Sequence, residues 1–140
     1  ILNVKFDFFH IITLFFVSLP AVNGISNIML ANNICDIKDD IENNRYTLPI
    51  YVGKNNSLKL FKFIYYLIYF DILVLVLLEV LPVTSLLVLL TFKFVQNNIK
   101  NFYKKQSKKD TFIVSIKSFL VINISYILSI LIAIFLDIFV

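Results

Sequence analysis

Four carboxylates, Asp36, Asp39, Asp40 and Glu42, crowd into seven positions of a 140-residue chain that has nine acidic residues in all. Asn32, Asp36 and Asp40 recur at four-residue intervals, which on a helix places them along one face. Carboxylates stacked in this way repel one another by roughly a few tenths of a kcal/mol per pair, and a divalent cation removes that cost. Oxygen donors with no Cys or His among them favour Mg²⁺, which takes one or two carboxylates and fills its shell with water and substrate phosphate. Arg45 and Lys54 follow as cations suited to a diphosphate. A solvated acidic loop with helix-capping asparagines has the same spacing, and spacing alone leaves both readings open.

The elements that hold this cluster are membrane helices. Hydrophobic residues make up 59% of the chain and charged ones 16%, against about 25% charged in a soluble domain. That balance excludes disorder, a nucleic-acid-binding domain and an ordinary cytosolic enzyme. The single Cys35 excludes a disulfide framework, and the two glycines, Gly24 and Gly53, exclude a glycine-rich phosphate loop. Residues 8–35 carry no Asp, Glu, Lys or Arg, 63–78 carry only Asp71, and 80–92 and 118–136 carry none. These runs predict an all-α membrane protein with four transmembrane helices at about 7–35, 58–79, 82–97 and 111–137. The third is short and is expected to extend as a helix through 96–103. Pro20 is expected to kink the first.

Twelve of the thirteen basic residues lie in or beside the 36–57 and 97–110 connections, and only Lys5 lies at the opposite ends. An up-down run of four helices puts both connections on one face. The positive-inside rule makes that face cytoplasmic, in a multi-pass protein of the cell membrane. By itself the basic 97–110 run reads as a solvated, lipid-facing loop.

The order of residues at the acidic connection is more specific than its composition. Asn32 and Asn33, then Asp36, Asp40, Thr47, Leu48, Gly53 and Lys54, resemble the second aspartate-rich motif of the UbiA-type intramembrane prenyltransferases. The likeness is closest to the menaquinone branch, which uses 1,4-dihydroxy-2-naphthoate as acceptor. The resemblance implies that Asp36 and Asp40 hold Mg²⁺ as catalytic residues, with Asn32, Asn33, Arg45 and Lys54 on the diphosphate of a polyprenyl diphosphate donor. It implies transfer of the polyprenyl group to an aromatic acceptor, with no nucleic acid involved. Two positions depart from the family pattern. Cys35 stands where the family has Arg, and Asn44 stands where it has Gly, although asparagine tolerates the left-handed conformation that position needs.

The family fold is a nine-helix bundle with a first aspartate motif, Asn-Asp-x-x-Asp-x-x-x-Asp, that has no counterpart here. Residues 1–140 are therefore expected to be the C-terminal part of such a domain. The remaining N-terminal helices become a partner, and the 140 residues alone are expected to be inactive. The competing expectation is a non-catalytic small membrane subunit or transporter piece whose acidic loop binds a cation or a partner.

Asp71, near the middle of a span, is expected to face the bundle and pair with a Tyr, Asn or Ser. Tyr65, Tyr66 and Tyr69 are expected in core or interfacial packing, and Asn123, Ser125 and Ser129 in helix-packing contacts. His10 is expected to be structural and to lack an acidic partner.

Overall fold

A computed structural model describes residues 7–136, and every regular element among them is helical. The six α-helices are α1 Phe8–Cys35, α2 Ile37–Glu42, α3 Leu48–Val52, α4 Lys54–Leu77, α5 Phe92–Lys104 and α6 Ile113–Phe135, and a 3₁₀ helix, Val83–Thr91, runs directly into α5. The expected all-α class is thus found. Residue 137, the expected end of the last helix, and Lys5 lie outside the described residues.

Three helices, α1, α4 and α6, are long and apolar enough to cross a membrane. At 28, 24 and 23 residues they reach about 42, 36 and 34 Å, against a hydrocarbon thickness of ~30 Å. The segment expected as a third α-helical span over 82–97 takes a different form. Its first nine residues are 3₁₀ and only the continuation through Lys104 is α-helical. The cause lies in its side chains. Ser85, Val88 and Thr91, the buried residues of the 3₁₀ segment, recur every third position, which matches three residues per turn. In α5 the buried set becomes Val95, Asn98, Ile99 and Phe102, the three-and-four spacing of an α-helix. Thr91, where the two meet, shares a 2.7 Å hydrogen bond with the Tyr69 hydroxyl and donates to the Val88 carbonyl at 2.7 Å.

The bundle keeps an apolar core, including Ile34, Phe61, Ile68, Ile72, Phe102 and Ile122, but departs from the soluble pattern in what it adds inside and leaves outside. Asn27, Ser57, Asp71, Ser85, Asn98, Ser115, Ser118 and Ser129 are buried, while Phe8, Phe15, Phe70, Leu90, Ile127 and Phe135 are exposed. Small and polar residues inside with large apolar ones outside is how helices pack in lipid. The buried groups are used across helices. Asn27 Nδ2 donates to the Phe61 carbonyl at 2.9 Å, Tyr65 to the Ser115 carbonyl at 3.1 Å, Thr84 to the Ser129 carbonyl at 2.7 Å, and Asn98 Nδ2 to Ser118 Oγ at 3.0 Å. Such bonds average ~0.6 kcal/mol each in a membrane protein. Phe61 lies 4.7 Å from Phe102 and 5.1 Å from Tyr65, ring centre to ring centre, at the core of the α4–α5 contact. Gly24 lets α1 approach α6: a Cβ there would stand 2.6 Å from the Phe119 ring.

The helix ends explain the turns. After α4 the Val80 amide bonds the Leu75 carbonyl and the Glu79 amide bonds the Val76 carbonyl, with Glu79 at φ 58. This is a Schellman ending, usually completed by glycine, and Pro82 follows as a stop. Between α3 and α4, Gly53 adopts φ 81 and ψ 152, a conformation open essentially to glycine alone. That break moves the start of α4 to Lys54, earlier than the expected residue 58.

Candidate functional site

Both polar connections meet at one end of the bundle. Lys108 Nζ lies 2.6 Å from Asp36 Oδ2, and Tyr103 donates to the Leu58 carbonyl at 2.7 Å. The expectation that residues 36–57 and 97–110 share an end therefore holds. The 36–57 connection is ordered around α2 and α3.

Asp36 ends α1 and precedes α2, with φ −96 and ψ 7. The four-residue register survives this break. The Asp36 amide bonds the Asn32 carbonyl at 3.0 Å, and the Asp40 amide bonds the Asp36 carbonyl at 2.8 Å. Asn32 Nδ2 donates to Asp36 Oδ2 at 3.1 Å. That oxygen thus receives both the amide and the Lys108 ammonium, and the Asp36 hydrogen bond to Lys108 raises the lysine pKa above its ordinary value.

Asp40, one turn on, is buried at 5% exposure. Its Oδ2 accepts from Thr47 Oγ1 at 3.0 Å, and Arg45 Nε stands 3.9 Å from its Oδ1. The backbone brings these partners round through a second Schellman ending. The Arg45 amide bonds the Asp40 carbonyl at 2.8 Å, the Asn44 amide bonds the Ile41 carbonyl at 3.1 Å, and Asn44 sits at φ 55. The asparagine at that position does adopt the left-handed conformation. Asp39 and Glu42 are exposed, as is Arg45, and Asn33 is half-buried.

A cleft of about 560 Å³ opens beside these residues, lined by Cys35, Lys38, Ile41, Gly53, Lys54 and Gln106, among others. Of the residues singled out in the sequence, the structure brings together Asn32 with Asp36 and Asp40 with Thr47 and Arg45, and sets Lys54 on the cleft. Asp36 and Asp40 do not line it. Among the described residues no three Asp, Glu, His or Cys side chains converge as a metal-binding group. Sequence reasoning missed Lys108 and Gln106. The signal available was the expectation that the two connections share a face, which puts a basic run opposite an acidic one.

Two smaller expectations change. His10 does have an acidic partner, because Asp7 caps α1 and its Oδ1 lies 2.6 Å from His10 Nδ1. Asp71 faces the bundle as expected, but its Oδ2 has no hydrogen-bond partner among the described residues. The nearby Tyr126 hydroxyl donates to the Val17 carbonyl at 3.3 Å instead. Tyr65 and Tyr69 are buried in the core and Tyr66 is half-buried against it, stacked 5.8 Å from Phe92. No protein family, no curated protein and no solved structure matches the chain.

Proposed function

We propose that this chain forms the second half of a Mg²⁺-dependent intramembrane prenyltransferase. Its acidic end would hold the diphosphate of a polyprenyl diphosphate while an aromatic acceptor, 1,4-dihydroxy-2-naphthoate by resemblance, takes the prenyl group. The observation that carries this reading is that, at one end of a lipid-facing bundle, the Asn32–Asp36–Lys108 and Asp40–Thr47 contacts stand beside a cleft lined by Lys38 and Lys54.

The donor set suits Mg²⁺ in part. Asp36 supplies a hard carboxylate whose side chain is 14% exposed, and one or two carboxylates with substrate phosphate are the usual Mg²⁺ shell. Asp40 has its Oδ2 engaged by Thr47 and the Arg45 guanidinium 3.9 Å from its Oδ1, so Oδ1 is the oxygen it would offer to such a shell. Mg²⁺ bound at Asp36 supplies Lewis-acid stabilisation of the departing diphosphate. The chain's own residues do the rest. Asn32 fixes the Asp36 rotamer. Lys108, displaced from Asp36, and Lys54 meet the negative charge that grows on the diphosphate as the allylic C–O bond breaks and its electron pair leaves with oxygen. The apolar helices house the prenyl tail and keep water from the allylic cation until an aromatic carbon attacks it.

In this reading the Val83–Thr91 segment and α5 form a fourth pass. Nine 3₁₀ residues rise about 18 Å where an α-helix rises about 13.5 Å, which helps a short apolar run span the bilayer. The basic end faces the cytoplasm in the cell membrane. The other helices of a nine-helix bundle supply the first aspartate motif.

A second reading is favoured by the same contacts. Asp36 with Lys108, and Asp40 with Thr47, tie the loops of a small non-catalytic membrane subunit together and need no metal. The two readings part on ligand binding. The chain in lipid nanodiscs is expected to bind farnesyl diphosphate with Mg²⁺ present and to lose it on adding EDTA. Binding that ignores both Mg²⁺ and EDTA, or no binding, returns the cluster to the loop-tying role.

A further inference from the structure

A separate site lies on the face where α1 and α4 meet, and it does not rest on the prenyltransferase reading. A groove of about 290 Å³ runs between α1 and α4, lined by Phe16, Leu19, Phe70, Val74, Leu75 and Asp71, among others, and Asp71 is the sole charged residue on it among the described residues. Asp71 is 8% exposed, and among the described residues its Oδ2 finds no partner. The groove walls are otherwise apolar, and the Tyr126 hydroxyl is committed to the Val17 carbonyl.

An ionised carboxylate in such surroundings is costly unless a positive charge meets it. Among the described residues no Lys, Arg or His lines the groove, so the cost is met either by a proton on Asp71 or by a positive charge that arrives with an occupant. The walls ask for hydrocarbon or aromatic surface around that charge. An apolar cavity with one well-placed polar group is the ordinary form of a small-molecule site.

We propose that the α1–α4 groove binds lipophilic amines, with the ammonium on the Asp71 carboxylate and the apolar body along Phe16, Leu19 and Phe70. An alcohol of the same length fills the same walls but brings no charge, so charge complementarity separates the two.

The test uses the full chain in proteoliposomes and a lipophilic carbodiimide, dicyclohexylcarbodiimide, which modifies membrane-buried carboxyls and is read by mass spectrometry of the Asp71 peptide. N,N-dimethyldodecylamine, a tertiary amine that cannot couple to a carbodiimide-activated carboxyl, is expected to protect Asp71 at a membrane mole fraction at least tenfold below that needed by dodecanol. Leu19→Trp, which fills the groove while keeping the carboxylate, is expected to weaken protection by that amine at least fivefold with helix content unchanged by circular dichroism. Equal protection by amine and alcohol overturns the proposal. So does an untreated Asp71 that the carbodiimide fails to modify, the outcome if another helix or a second copy of the chain already covers the groove.

Discussion

Asp40 and Asp71 are both withdrawn from solvent, at 5% and 8% exposure, and the protein treats them in opposite ways. Asp40 sits at the polar end, where a turn returns the chain so that Thr47 and Arg45 meet both carboxylate oxygens. Asp71 sits within α4 with an oxygen that no described residue meets. The first arrangement serves the fold. The second costs the fold, and an uncompensated buried acid in a membrane span is where a ligand is to be sought.

The sharpest way to break this contrast is to replace each acid by an apolar residue of similar size. Asp40→Leu strands the Thr47 hydroxyl and is expected to destabilise the chain by about 1–3 kcal/mol. Asp71→Leu removes an unmet buried acceptor and is expected to stabilise it by a similar amount, about 1–3 kcal/mol. Denaturation of the two variants in the same mixed micelles reads the sign. Two losses of equal size contradict the account.

Packing gives the next effect. Gly24→Ala places a Cβ 2.6 Å from the Phe119 ring and is expected to cost about 1–3 kcal/mol by overpacking. Phe119→Leu in the same chain is expected to recover most of it. The two turns sharpen the comparison of ends. Glu79 and Asn44 hold the same left-handed position, φ 58 and φ 55, but only asparagine is suited to it. Glu79→Gly is expected to stabilise by about 1 kcal/mol, and Asn44→Gly by less, in the same denaturation assay.

The smallest effect is the pH response of the basic connection. Lys105 and Ser107 hold the Asp110 pKa below its ordinary value, so that carboxylate's contribution is present above the usual carboxylate range, about 3.9, and is lost as pH falls through the depressed value. Asp36 raises the Lys108 pKa, so that contribution is present below the usual lysine value, about 10.4, and is lost as pH rises through the raised one. Between those limits hydrogen exchange at Thr111 and Phe112, whose amides bond the Ser107 carbonyl at 2.9 Å, is expected to show steady protection once corrected for intrinsic rate.

How much the sequence revealed follows from how far apart the partners lie. Asn32 and Asp36 are four residues apart, so their contact follows from helical spacing. The long apolar runs announced α1, α4 and α6 because hydrophobic length is itself the constraint. Lys108 and Asp36 are 72 positions apart, and charge segregation pointed to their shared end but not to the pair. The 3₁₀ form of Val83–Thr91 was written in the three-residue spacing of Ser85, Val88 and Thr91, a period easily passed over inside an apolar run. The unmet oxygen of Asp71 was not legible, because it depends on where α1 packs and on Tyr126 spending its proton elsewhere.

The central claim is that Asp36, unlike Asp40, serves a ligand. The Asp36 side chain caps no helix, and Asp36→Asn keeps its shape and an oxygen that can accept from Asn32 and Lys108 while removing the charge. In nanodiscs it is expected to leave unfolding stability within about 1 kcal/mol while weakening Mg²⁺-dependent farnesyl diphosphate binding at least ~10-fold, equivalent to about 1.4 kcal/mol. In an assembled enzyme it is expected to slow prenyl transfer by ~100-fold or more. Unchanged Mg²⁺-dependent binding by the Asp36→Asn chain would contradict the claim.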